Sequence, residues 1–145
     1  MNQVEHIILM AGELPLAISA TAIHSIHDGL RVQSEPDTQP WFLGLTVADG
    51  RLLPVTDLGA LLNGKASHGR IIEVAHSVGL AALRVDSITG VCRAEPQTLE
   101  APVDFPASGL SSNMSIYDNS VNYFVMDVAE LVHSAPFNAI GLSAA

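Results

Sequence analysis

The segment Gly59–Lys65 has the residue types and spacing of a nucleotide-binding phosphate loop, G-x-x-x-x-G-K. In such a loop, backbone N–H groups surround the phosphates and a following serine or threonine hydroxyl binds magnesium. Here the next residue is Ala66, which has no hydroxyl. The glycines also follow a short helical pattern, whereas a phosphate loop comes before its helix. Asn63-Gly64 is therefore interpreted as a helix C-cap, and we expect no nucleotide to bind.

His24 and His27 are candidate metal ligands, because side chains three residues apart could share one face of a helix. A metal site also needs a third and a fourth ligand, together with groups that orient them. The neighbouring sequence offers Asp28 but no cysteine and no cluster of acidic residues. We expect no metal site here, and interpret both residues as surface or half-buried histidines near a turn.

The sequence contains no recognisable set of residues for covalent or acid–base catalysis either. The chain lacks a Gly-x-Ser-x-Gly nucleophile elbow. Cys92, the single cysteine, lies in a strand-like stretch beside Arg93 with no evident histidine partner. The carboxylates are scattered, so no acid–base pair is indicated. The sequence predicts a protein that is not an enzyme, with no catalytic residue and no cofactor.

Composition narrows the class of partner. The chain has 145 residues, of which 48% are apolar and 14% charged, as expected for one folded domain. Its formal net charge of −9 disfavours nucleic acid and anionic membrane surfaces. The stretches without Asp, Glu, Lys or Arg, such as Leu14–His27, are all shorter than the roughly 20 apolar residues of a membrane helix. No basic start of a secretory signal precedes Arg31. We expect a soluble cytoplasmic protein without direct membrane insertion.

Short aliphatic and β-branched runs, separated by turn residues, predict a mainly β protein that forms a barrel or a sandwich. Asp49-Gly50 is a strong signal for a hairpin. Asp57 and Asp127 each precede a short apolar helical turn, as N-cap residues do. A third short helix is predicted at Ala20–Ile26, and the longest loop at Glu95–Ser112. The predicted strands are Val4–Met10, Leu14–Ser19, Trp41–Val47, Arg51–Val55, Arg70–Ala75, Val78–Val85, Gly90–Ala94 and Asn122–Met126.

Short words recur in the two halves of the chain. Ile7-Ile8 returns as Ile71-Ile72, and Val55-x-Asp57 returns as Val125-x-Asp127. Each word is common in β-rich segments, so coincidence and duplication both fit these residues. A duplication would make the chain two similar small barrels rather than one sandwich.

The segment Trp41–Leu58 resembles the central motif of the CheW-like domain family, the adaptor modules of bacterial chemotaxis arrays. That motif runs Gly-Val-Ile-Asn-Leu-Arg-Gly, two or three apolar residues, then Pro, two apolar residues, Asp and Leu. The residues that match it are Gly44, Gly50, Pro54, Val55, Asp57 and Leu58. A second family signature resembles Gly79–Val91, which includes Val85 and Asp86.

The closing strand and helix of the family resemble Phe124–Leu131, which includes Asp127. The resemblance implies an all-β fold of two five-stranded β-barrels packed together, with short helices. It further implies one CheW-like domain over residues 1–145, with approximate barrel halves 1–66 and 67–145 and a junction near Leu62–Gly69.

The resemblance also implies a function. CheW-like proteins are non-enzymatic scaffolds that couple a CheA-type histidine kinase to the helical tip of a methyl-accepting chemoreceptor. They are cytoplasmic, and receptor complexes recruit them to the inner membrane. The positions that match the family's partner contacts, or lie in the same motif, are Ile23, Ser25, Gly44, Val47 and Asp49.

Three of these positions depart from the family in chemistry. Asp49 stands where the family has arginine, Val47 where it has asparagine, and Ser25 where it has glutamate. A partner built for the arginine would be repelled by Asp49. Two alternatives therefore stay open. One is a divergent CheW-like binding module of a type IV pilus system, whose proteins Trp41 and Gly50–Val55 resemble, or of another pathway with different partners. The other is a small β-barrel with a ligand in its apolar core.

Overall fold

The computed structural model describes residues 4–142, so residues 1–3 and 143–145 of the expected domain lie outside the described residues. The strands are β1 (Val4–Ala11), β2 (Leu14–Ser19), β3 (Ile23–His27), β4 (Phe42–Ala48), β5 (Arg51–Asp57), β6 (Ile71–Val74), β7 (Ala82–Arg84), β8 (Ser87–Ala94), β9 (Gln97–Asp104), β10 (Ser111–Asp118) and β11 (Val121–Val125). The α-helices are α1 (Leu58–Asn63), α2 (Val128–Val132) and α3 (Ala135–Asn138), and a 3-10 turn spans Ala20–Ala22.

The predicted all-β class is confirmed, but several predicted segments differ. Only Ala82–Arg84 of the strand predicted at Val78–Val85 is a strand, and β10 was not predicted. The helix expected at Ala20–Ile26 is a 3-10 turn followed by β3, which pairs with β6. The loop expected at Glu95–Ser112 contains β9. That strand pairs with β10 alone at the sheet edge, and its Pro102 lies where the register shifts. A mostly exposed edge strand lacks the apolar alternation that marks a strand in a sequence.

The strands form a six-stranded sheet, in the order β8-β1-β2-β11-β10-β9, and a five-stranded sheet, in the order β3-β6-β7-β5-β4. Without β9, the two orders correspond strand for strand. The successive pairs are antiparallel, antiparallel, parallel and antiparallel in both. β1 thus corresponds to β6, and these two strands carry Ile7-Ile8 and Ile71-Ile72, while β5 corresponds to β11.

Each sheet combines strands from both halves of the chain. β1 and β2 join β8, β10 and β11, whereas β6 and β7 join β3, β4 and β5. The chain changes sheet at Ala20–Ala22 and again at Val85-Asp86, not near Leu62–Gly69. The division into 1–66 and 67–145 therefore separates two similar strand sequences but not the two sheets. We describe this arrangement as a strand exchange.

One continuous apolar core lies between the sheets, as predicted for two packed barrels. On β1, Leu9 faces this core, while its neighbour Ile8 faces the inside of the six-stranded sheet. The main core consists of Leu9, Ala11, Leu16, Ile18, Leu58, Leu61, Leu62, Ile72, Val74, Ala81, Leu83, Val85, Phe105, Met126, Val128, Leu131, Val132 and Phe137. On each sheet, a smaller apolar cluster packs against the face that points away from the main core. No α-helix within residues 4–142 has the length and apolar character needed to cross a membrane.

Candidate partner-binding surface

The turn between β4 and β5 places Asp49 at the tip of a hairpin. Asp49 and Gly50 both have positive φ values, +50° and +78°. That conformation suits a two-residue hairpin turn, and aspartate tolerates it better than most side chains. The turn geometry therefore accounts for both residue types and leaves the Asp49 side chain exposed.

Val47 and Leu52 form an exposed apolar pair on the outer face of this hairpin. They lie directly opposite each other in the β4–β5 register, and are 61% and 60% exposed. Val47 was among the contact residues that the family resemblance implied, and Leu52 was not. The signal for Leu52 was the alternation with its buried neighbour Leu53, which places Leu52 on the outer face. The pair lines a cleft together with Arg31, Gln33, Glu35, Leu45 and Thr46.

Two of the five candidate contact residues lie inside the fold. Gly44 is buried with a φ of +128°, and a Cβ atom there would lie 2.0 Å from the Gln33 carbonyl oxygen. The absent side chain lets Gln33 pair with Leu45 through backbone hydrogen bonds of 2.8 and 2.9 Å. Ile23 is partly buried against the main core. Gly44 and Ile23 therefore support the candidate partner-binding surface from inside the fold.

The curvature of the five-stranded sheet brings β3 close to the Asp49 turn, although β3 and β4 are at opposite ends of the strand order. The Asp49 carboxylate and the donor atoms of His27 and Glu73 lie within 4.8 Å of one another. Ser25, half-buried, lies opposite Glu73 in the register. The hairpin tip and β3 therefore form one polar region.

Glu73 is the centre of this region and was not among the residues predicted from the sequence. Its side chain is fully buried, with Oε1 2.8 Å from His27 Nε2 and Oε2 2.7 Å from His76 Nε2. The His24 ring stacks on His76 with a centroid distance of 4.1 Å. Burial raises the pKa of Glu73, but hydrogen bonds with His76 and His27 and the nearby His24 outweigh it and lower that pKa below its ordinary value.

No acidic partner was expected for His24 and His27, because no cluster of acidic residues lies near them in the sequence. The fold supplies one from a distant strand. Glu73 is 46 residues from His27 in sequence, and β3–β6 pairing brings them together. The available signal was the single glutamate in the otherwise apolar run Ile71–Val74 of the predicted strand Arg70–Ala75, since a buried carboxylate requires partners.

The model of the CheW-like domain matches residues 5–136. The chain belongs to the CheW-like domain family. Its fold is similar to the crystal structure of scaffolding protein TtCheW from Thermoanaerobacter tengcongensis, with a TM-score of 0.77 and 15% sequence identity. The match covers 93% of this chain and 96% of that chain. No curated protein shows significant similarity to the chain. The CheW-like fold predicted from the motifs is confirmed.

Asp57 and Asp127 of the CheW-like motifs are N-caps, as predicted. Asp57 has φ −80° and ψ 106°, and Asp127 has φ −81° and ψ 108°. Each side chain accepts a hydrogen bond from the backbone N–H three residues on, of Ala60 at 3.0 Å and of Glu130 at 3.1 Å. Asp57 is also buried and accepts the N–H of Ser67 at 3.0 Å. The two caps are equivalent in geometry but not in surroundings.

Three further CheW-like motif residues support the core and the crossing between sheets. Leu58 and Val85 are fully buried in the main core. Asp86 accepts the backbone N–H of Gly12 at 2.7 Å and that of His68 at 3.1 Å. The Asp86 carboxylate thereby fixes the place where the chain passes from one sheet to the other.

Pro54 lies in the middle of β5 without loss of a ladder hydrogen bond. Its partner in β4, Leu45, directs its N–H and C=O to Gln33 instead. On the other side, pairing with β7 begins only at Val55. At Pro54, β5 is therefore unpaired on the side where the missing N–H would have donated. A proline within a strand is expected at such an edge-like position.

The phosphate-loop spacing in Gly59–Lys65 has a structural explanation. Helix α1 ends at Asn63, and Gly64 is its C-cap with a φ of +70°, which confirms the C-cap interpretation. Gly59 packs against the backbone of Gly12, where a Cβ atom would clash. Lys65 forms an exposed ion pair with Glu13 at 2.8 Å.

Cys92 lies in the apolar cluster inside the six-stranded sheet of this CheW-like domain. Burial, with a smaller effect of nearby Asp118, raises the pKa of its thiol. An activated cysteine nucleophile requires the opposite shift, toward the thiolate.

Proposed function

We propose that this CheW-like domain is a non-enzymatic adaptor that couples a CheA-type histidine kinase to the helical tip of a chemoreceptor. Family membership and the fold shared with a scaffolding protein support the proposal. It places the protein in the cytoplasm, where receptor complexes recruit it to the inner membrane. The observation that carries the proposal is the exposed apolar pair Val47–Leu52 beside the charged tip Asp49.

This hairpin face has the composition of a protein interface. An apolar centre excludes water from a contact, and polar groups around it set orientation and selectivity. Here Val47 and Leu52 form the centre, and Arg31, Glu35 and Asp49 are exposed around it. Since Asp49 stands where the family has arginine, we expect its partner to carry a basic group at the facing position.

The test compares two exposed valines with the same substitution. Val47 is 61% exposed in the five-stranded sheet, and Val91 is 60% exposed in the six-stranded sheet. Val47→Asp should weaken binding to the CheA-type kinase or receptor tip of the same genome about tenfold or more, the equivalent of roughly 1.4 kcal/mol. Val91→Asp should leave both affinities unchanged. Calorimetric titration of each partner measures the dissociation constants.

The charge at the hairpin tip provides a second arm of this experiment. Asp49→Asn removes one charge but keeps a side chain that tolerates the positive φ, so folding should be preserved. The loss of affinity should be largest at low salt, because exposed charges are screened within about 10 Å at 0.1 M.

Equal effects of Val47→Asp and Val91→Asp would exclude the hairpin as the interface. Binding only to the kinase of a type IV pilus system would favour the divergent-module alternative. Packed apolar side chains fill the inside of both sheets, so a ligand in either apolar core would have to displace them.

A further inference from the structure

The convergence of two histidines on one face of β3 depends on a β-bulge. Side chains three residues apart on a regular strand point to opposite faces. In β3, however, Ile23 pairs with Val74 while Ser25 pairs with the adjacent residue Glu73, so His24 is an extra residue. The extra residue shifts the alternation by one and brings His24 to the face that carries His27.

The resulting set of side chains is named the histidine–glutamate cluster, and it consists of His24, His27, Glu73 and His76. Ligand atoms of His24, Glu73 and His76 lie within 4.8 Å of one another. Those of His27 and Glu73 form a second such group with Asp49. Strands β3 and β6 and the turn after β6 supply the four members, so two paired strands hold most of the donors in place.

The hydrogen bonds of the cluster leave one imidazole nitrogen with conflicting neighbours. His76 Nε2 lies 2.7 Å from a Glu73 carboxylate oxygen and 3.2 Å from the donor Arg51 Nε. One ring nitrogen either donates or accepts, so it satisfies only one of the two. A cation bound at the lone pair of Nε2 would satisfy both the imidazole and the carboxylate.

We propose that the histidine–glutamate cluster binds a divalent transition-metal ion, best matched by Zn²⁺, and that the ion links β3 to the end of β6. Imidazole nitrogens and a carboxylate oxygen are ligands that Zn²⁺ prefers, and His24, Glu73 and His76 offer three of them within one group, which leaves the fourth tetrahedral position to water. His27 and Asp49 border Glu73 in the second group, so they add to the polar surroundings of the site but are not among its three ligands.

The geometry needs only a small adjustment to hold the ion. Ligands at about 2.0–2.1 Å from a tetrahedral Zn²⁺ are about 3.3 Å apart. His76 Nε2 lies 2.7 Å from Glu73 Oε2, and a ligand atom of His24 lies within 4.8 Å of the ligand atoms of both, so these separations must change by about 0.6 Å and by no more than about 1.5 Å. Glu73 and Asp49 carry two negative charges against one on Arg51, which favours a cation when the imidazoles are neutral.

The experiment uses the full chain without a histidine tag, stripped of metal with a chelator. Titration with Co²⁺, a spectroscopic probe for zinc sites, should give the visible absorption of a four-coordinate ion at one ion per chain. Calorimetry with Zn²⁺ should give the same stoichiometry, and Zn²⁺ should raise the thermal midpoint of unfolding.

Variants then locate the site. His24→Ala removes an exposed ligand, so folding should be preserved while Zn²⁺ affinity falls about 10- to 100-fold or more. His76→Ala should have a similar effect. His133→Ala removes an exposed histidine at the end of α2, outside the cluster, and should leave the affinity unchanged.

Three outcomes would overturn the proposal. One is the absence of Co²⁺ absorption and of a Zn²⁺-dependent thermal shift in the unsubstituted chain. Another is affinity that is the same in His24→Ala and His76→Ala as in the unsubstituted chain. The third is an equal loss of affinity in His133→Ala. The cluster would then be a hydrogen-bonded network only, and the adaptor function would be unaffected.

Discussion

Asp57 and Asp127 are equivalent residues that should differ in their contribution to stability. Asp127 is exposed and caps only α2, so Asp127→Ala should lower the free energy of unfolding by about 1 kcal/mol. Asp57→Ala also leaves the buried N–H of Ser67 without its acceptor, so its cost should be about 2–4 kcal/mol. Urea unfolding measures both. Asp57→Asn keeps one acceptor oxygen and should recover part of the loss. Equal losses for the two alanine variants would show that the Ser67 contact contributes nothing.

At the scale of single residues, the sequence predicted what depends on neighbours along the chain. The caps at Asp57 and Asp127 were predicted because an aspartate before an apolar helical turn is a local signal. The environment of Glu73 could not be predicted, since its partner His27 comes from a distant strand. Gly44 belonged to a recognised motif, but only the Gln33 carbonyl explains why a glycine stands there.

At the scale of elements, the pairing of β4 with Gln33 should depend on the missing side chain of Gly44. Gly44→Ala combines the strain of a φ of +128° with a clash against backbone that cannot move aside, so we expect a loss of about 3 kcal/mol or more. Gly29 is the matched control, because it has a φ of +79° but no atom within 4 Å of the position that a Cβ would take. Gly29→Ala should cost only the backbone strain, about 1–2 kcal/mol. Thermal unfolding distinguishes the two, and equal losses would rule out the clash.

Elements with strong local signals were predicted well, and weak ones were not. The Asp49-Gly50 hairpin and the C-cap at Gly64 depend on backbone conformations that few residue types adopt. The residue types at these positions therefore reveal both features in the sequence. The strand β9 is exposed and interrupted by Pro102, and only its pairing with β10 defines it. In Ala20–Ile26, strand pairing with β6 outweighed a helical pattern of moderate strength.

At the scale of the whole molecule, the internal repeat was visible in the sequence but the strand exchange was not. Ile7-Ile8 and Ile71-Ile72 occupy corresponding strands of the two sheets. Because the words are the same, local sequence does not reveal whether either strand pairs within its own half or with the other half. The strand pairing is determined by the short crossings at Ala20–Ala22 and Val85-Asp86, because at these points the chain passes from one sheet to the other.

The strand exchange predicts how the chain behaves when it is divided into residues 1–66 and 67–145. The first piece lacks β6 and β7, which separate β3 from β5, and the second lacks β1 and β2, which separate β8 from β11. Each piece alone therefore has a gap in the middle of its sheet, with main-core residues exposed. We expect both pieces to be largely unfolded separately, and to form a folded 1:1 complex when mixed, because each supplies the other's missing pair of strands. Amide chemical-shift dispersion in NMR spectra and size-exclusion chromatography would measure this. A dispersed spectrum from either piece alone would mean that one half forms a sheet of its own, which the observed strand order does not allow without rearrangement.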